Sequence, residues 1–95
     1  MTYGISHFFP GGTREQYETT MVAMNGELGV IPDGQIIHAA GPAPGGWQVV
    51  AVHESKESWD AFRESVFLPR VTAGIAGGFT DAPIEILWDV THFYD

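Results

Sequence analysis

The sequence predicts an α+β fold of element order β-α-β-β-α-β, with one four-stranded antiparallel sheet and its helices on one face. Three observations predict it. The stretch Gln35–Glu54 reads as two apolar strands, Gln35–Ala40 and Trp47–His53, parted by the breaker cluster Gly41-Pro42-Ala43-Pro44-Gly45-Gly46. A helical pattern lies on each side of that hairpin, and a further strand pattern lies beyond each helix. This order is the ferredoxin-like arrangement, in a single domain spanning residues 1–95.

Each element has a local reason. Tyr3–Phe9 alternates as a strand, with Tyr3, Ile5, His7 and Phe9 on one face, and Pro10-Gly11-Gly12 stops it. Thr13 and Gln16 have the spacing of a capping box, and Tyr17, Met21, Met24 and Leu28 then form an apolar stripe that predicts a helix from Thr13 to about Leu28. Ser55 is a natural N-cap for a second helix, KESWDAFRESVF, whose inner face is Trp59, Phe62 and Val66, with Phe67 beside them. Pro69 is expected to break or kink it, with Arg70–Ile75 as a short extra helix. Pro83–Tyr94 reads as the last strand, with Ile84, Ile86, Trp88, Val90, His92 and Tyr94 on one face.

Composition narrows the function classes. With 4 Lys+Arg against 12 Asp+Glu, the net charge is −8, and the basic residues Arg14, Lys56, Arg63 and Arg70 are scattered. No basic patch exists to neutralise phosphates, so nucleic acid and anionic membrane surfaces are poor partners. No apolar run approaches the length of a membrane span, and no basic segment precedes an apolar one near the N-terminus, so a cytoplasmic protein is expected. Cysteine is absent, which removes disulfide and thiolate chemistry. In the hairpin a symmetric turn sets Ile36, His38 and Ala40 with Trp47, Val49, Ala51 and His53, and Ile37 and Ala39 with Val50 and Val52. Both faces are apolar. Two helices cover one of them, so a second copy packed sheet to sheet is expected, making a homodimer.

The element order, the FFPGGTREQYE approach to the first helix and the run GWQVVAVHESKESWDAF resemble the dimeric α+β barrel superfamily, in particular its small antibiotic-biosynthesis-monooxygenase-like members. The resemblance implies a ligand cavity between sheet and helices, and cofactor-independent monooxygenation of an aromatic or polyketide-like small molecule. Polyketide cyclases and haem-degrading enzymes share the fold. The haem-degrading members carry Asn on the first strand and a haem-ligating His on a helix; this chain has neither at those places, so no cofactor is expected.

Within that frame His7, His38 and His53, one on each of the first three strands, are the candidate catalytic bases, because neutral imidazole can take a proton from a phenol or enol near neutral pH. Strands one and three are expected to run parallel, bringing His7 and His53 towards one sheet end. His92 lies on the expected fourth strand. Asn25 could orient a carbonyl or oxygen species, Trp47, Trp59 and Trp88 offer flat walls for an aromatic ligand, and Tyr17 is a further candidate ligand-binding residue. No metal site is expected, since His53 and Glu54 point to opposite faces and no His-x-x-x-His occurs. Phosphate-loop and serine-elbow motifs are absent. The same residues also admit a cyclase or isomerase, or a non-catalytic ligand-binding or structural dimer whose histidines serve core and interface.

Overall fold

A computed structural model describes residues 2–94. The elements are β1 (Tyr3–Pro10), α1 (Arg14–Asn25), β2 (Gln35–Ala43), β3 (Gly46–His53), α2 (Lys56–Phe62), a π-helical turn (Arg63–Phe67), α3 (Leu68–Ala73) and β4 (Ile84–Asp89). The four strands form one open antiparallel sheet in the order β2-β3-β1-β4, which is compatible with the ferredoxin-like arrangement. No helix among the described residues is long and apolar enough to cross a membrane.

The capping box forms: the Gln16 amide donates to the Thr13 hydroxyl at 3.2 Å, and the Gln16 side chain accepts from the Thr13 amide at 3.0 Å. Helix α1 ends earlier than the stripe suggests. Gly26 adopts φ 92°, a conformation that favours glycine, and its N–H closes on the Val22 carbonyl at 2.9 Å, leaving Leu28 exposed. Strand β2 runs on through Pro42, because it is an edge strand and a missing donor there costs no ladder bond. The hairpin turn shrinks to Pro44-Gly45. Gly46 then lies so close to Phe9 that a Cβ would overlap the Phe9 carbonyl oxygen.

Ser55 caps α2 as expected, accepting from the Ser58 amide at 3.0 Å. Pro69 does not end the helical run. It sits in the first turn of α3, and the five-residue π-turn before it absorbs the bond that proline cannot donate. Ser65, whose hydroxyl donates to the Ala61 carbonyl at 2.7 Å, lies in that turn. The extra residue rotates the inner face, so that Phe62 and Phe67 pack on Trp59, Tyr3 and Ile5. A second cluster joins Phe9, Trp47 and Val49 to Tyr17 and Phe79, with the Phe9 and Phe79 rings stacked at 3.7 Å.

Strand β4 covers only half the expected span. It stops at Asp89, and His92 lies beyond the sheet, stacked on the exposed Tyr94. Strands β1 and β3 are neighbours but antiparallel, with Tyr3 opposite His53 and His7 opposite Val49. The expectation of parallel strands therefore fails: a helical crossover from β1 makes β2, not β3, its parallel mate, and β3 fills the gap between them. The helix-covered face carries Tyr3, Ile5, His7 and Phe9 of β1 and Trp47, Val49, Ala51 and His53 of β3. The other face carries Phe8, Val50, Ile37, Ile84, Ile86 and Trp88 and has no helix over it; Ile84 and Ile86 are both 58 % exposed.

Candidate functional site

The three candidate histidines all lie on the helix-covered face, in two separate polar clusters. His7, on β1, is 6 % exposed and held between rings, with Phe67 at 5.4 Å and Trp59 at 6.0 Å between centroids. The β1–β4 register sets Glu85 directly opposite, and its Oε2 lies 2.8 Å from His7 Nε2. With Nε2 donating to the carboxylate, Nδ1 carries the lone pair, and it has no hydrogen-bond partner among the described residues. Burial lowers the His7 pKa below its ordinary 6.5, against the smaller upward pull of Glu85, so the ring is neutral at pH 7.

His7 stands on the wall of a cleft between sheet and helices. Its larger lobe, about 470 Å³, is lined by apolar side chains including Phe9, Met21, Phe67 and Phe79, with Arg63, Asp81 and Glu85 among the polar ones. A smaller lobe of about 50 Å³ adjoins it, among Trp59, Phe62, Gln35, His38 and Asn25. The two share a partition of His7, Met21, Met24, Val49 and Phe67.

The second cluster is a chain of five side chains from four elements. The Tyr17 hydroxyl lies 2.6 Å from His38 Nε2, and His38 Nδ1 lies 2.8 Å from Gln35 Oε1. Gln35 Nε2 lies 3.1 Å from His53 Nε2, and His53 Nδ1 lies 2.9 Å from Ser58 Oγ. One polarity satisfies every link. Tyr17 donates to His38, His38 to Gln35, Gln35 to His53 and His53 to Ser58, which leaves both imidazoles neutral and protonated on Nδ1. Burial lowers the pKa of both histidines, and raises that of Tyr17 with help from Glu18. Ordinary alternation would put Gln35 and His38 on opposite faces. A register shift between Gln35 and Ile37 brings both to the helix side, and the chain exists because of that bulge.

The remaining candidates spread over both clusters. Trp59, on α2, is 3 % exposed and touches His7 and His53, at 6.0 and 5.6 Å between centroids. Asn25, the last residue of α1, lines the small lobe, and its amide meets only the Met21 sulfur at 4.0 Å. Tyr17 and Trp47 pack together at 5.3 Å on the floor of an open groove beside Arg14 and Glu18, away from His7. His38 and His53 thus converge on Gln35, while His7 stands apart with Glu85. No cluster of three metal-ligating side chains occurs among the described residues.

Glu85, Gln35 and Ser58 escaped the sequence reading. Glu85 had a signal, a lone carboxylate in the apolar run PIEILW at the parity that faces the helices. Gln35 had none, because its place depends on the bulge.

Fold and site together define a small α+β protein with a buried histidine, paired to a solvent-exposed carboxylate, on a largely apolar cleft. Compared with protein families, curated proteins and solved structures, the chain matches none of them.

Proposed function

We propose that this protein is a cofactor-independent monooxygenase-like enzyme acting on an aromatic, polyketide-like small molecule, as a homodimer of the dimeric α+β barrel kind. The observation that carries the reading is His7: a neutral, buried imidazole oriented by Glu85 at Nε2, with Nδ1 unpartnered, on the wall of an aromatic-lined cleft of about 470 Å³. That volume lies in the range of small-molecule sites. A base held this way takes a proton at Nδ1, and the carboxylate on the far nitrogen stabilises the imidazolium that forms.

A ring methylene acidified by a conjugated carbonyl loses its proton to His7, and the electron pair spreads onto the carbonyl oxygen. The carbanion adds dioxygen, a carbon–oxygen bond forms, and the peroxide is protonated. Loss of water then leaves a new carbonyl. One molecule of oxygen is consumed and one of water released, and the substrate supplies all the electrons.

The dimer is supported by the uncovered sheet face. Its side chains, Phe8, Val50, Ile37, Ile84, Ile86 and Trp88 among them, include no charge, in a chain of net charge −8. Two copies can meet there without like-charge repulsion, and an apolar patch of this kind marks an interaction surface.

The test is oxygen uptake with anthrone, a three-ring ketone with one acidic methylene. The wild-type protein should accelerate uptake with one oxygen consumed per anthrone, and His7→Gln should lower the rate by about a hundredfold or more. No acceleration by the wild type, or full activity in a folded His7→Gln variant, contradicts the proposal.

A further inference from the structure

The small lobe beyond His7 has more hydrogen-bond donors than the protein can satisfy. The indole N–H of Trp59 is buried without an acceptor, on a side chain 3 % exposed. Gln35 spends its carbonyl oxygen on His38 and one N–H on His53, which leaves its second N–H with no acceptor among the described residues. The Asn25 amide has only a sulfur at 4.0 Å. All three side chains line the same lobe of about 50 Å³. Buried donors are ordinarily paired, and leaving one unpaired is costly, so the buried Trp59 N–H calls for an acceptor, with the half-buried amides of Gln35 and Asn25 beside it. The lobe is too small for a ring, since a cavity of about 150 Å³ is what accommodates benzene. It has room for one oxygen substituent.

We propose that this lobe is an oxygen-acceptor subsite that takes the carbonyl or enolate oxygen of a ring ketone whose rings occupy the large lobe. Trp59 and Gln35 are its donors and Asn25 assists. The Tyr17–His38–Gln35–His53–Ser58 chain gives the subsite its polarity. Because Gln35 Oε1 is engaged by His38, the amide presents its remaining N–H rather than its oxygen to the lobe. The subsite rests on the reading of the cleft as a substrate site and specifies its substrate class: a fused-ring ketone with an acidic carbon, not a hydrocarbon. It also gives the charge released by His7 a place to collect, since donors aimed at a developing oxyanion act on the transition state.

The experiment measures binding of 1-tetralone, an acceptor-only ketone, against tetralin, the same bicycle without the oxygen. Proteins are the wild type, Trp59→Phe and Gln35→Glu. Phenylalanine keeps a ring and removes the N–H. Glutamate keeps acceptors for His38 and His53, the latter switching tautomer, and removes the donor. The wild type should prefer the ketone, and each variant should lose about three- to tenfold of that preference, as one hydrogen bond is worth. Tetralin affinity should stay within about twofold, a readout that loss of structure would move. An unchanged preference in both variants overturns the subsite and leaves the cleft reading intact. Failure of the wild type to bind either compound overturns the cleft reading and the subsite with it.

Discussion

Replacing Gln35 by leucine tests the hydrogen-bonded chain most severely. The substitution keeps the side chain's approximate volume but removes both central links, the 2.8 Å bond to His38 and the 3.1 Å bond to His53. It strands a donor on His38 and an acceptor on His53. Each unpaired buried group costs about 1–3 kcal/mol. His53, with no exposed surface, falls at the upper end, and the half-buried His38 at the lower, where water can reach it. Removing the half-buried amide returns part of the cost. The sum is a loss of about 2–4 kcal/mol, a large share of the roughly 5–15 kcal/mol that holds a domain together. At this chain length that lowers Tm by about 10–30 °C. Urea denaturation followed by tryptophan fluorescence at pH 7.5, at one fixed protein concentration, reads it directly. Gln35→Glu preserves every link by a tautomer change at His53 and should stay within about 1 kcal/mol of wild type. A leucine variant that loses less than about 0.5 kcal/mol would refute the assignment of the chain as a buried, mutually satisfied network.

Stability should fall on acidification. His7, His38 and His53 all have pKa values lowered from 6.5 in the folded protein, so the unfolded chain binds protons first, and stability present above pH 6.5 is lost as pH falls towards the folded values. Three such groups set a ceiling of about 4 kcal/mol per pH unit, and urea midpoints at pH 8, 7, 6 and 5 should drop only below about 6.5. Gly46→Ala should cost about 1–3 kcal/mol, because its Cβ would overlap the Phe9 carbonyl oxygen. Gly41→Ala, where a Cβ meets open space, should be neutral or slightly stabilising in the same assay. Ile86→Asp, placing a charge on the uncovered sheet face midway along the edge strand β4, should convert a wild-type dimer to monomer by light scattering while circular dichroism stays unchanged; a monomeric wild type would end the sheet-to-sheet proposal.

The fold was legible because its signals are local. The Thr13 capping box, the Ser55 cap and the alternation of Tyr3–Phe9 each depend on residues within a few positions, and each forms as the spacing predicts. Hairpin parity was legible too: His38 and Ala40 do share a face with Trp47, Val49 and Ala51. Element ends were less so. Pro42 and Pro69 read as breakers, yet one sits on an edge strand and the other follows a π-turn, positions where proline does little harm. The site was legible residue by residue and not in its partnerships. His7 meets Glu85 through the register of β1 with β4, and Gln35 meets His38 through a bulge. Both depend on contacts between distant segments that no spacing along the chain encodes.

The most direct test of the central claim, that His7 is a base facing a bound ring methylene, is anaerobic exchange of the acidic hydrogens of anthrone in deuterium oxide, followed by NMR. Without oxygen the carbanion can only be reprotonated, so the rate of deuterium incorporation reports proton abstraction alone. The account predicts that wild-type protein accelerates exchange well above buffer and that His7→Gln abolishes the acceleration, while a folded His53→Gln variant retains most of it. Exchange at the buffer rate with the wild type, or an acceleration that survives loss of His7, contradicts it.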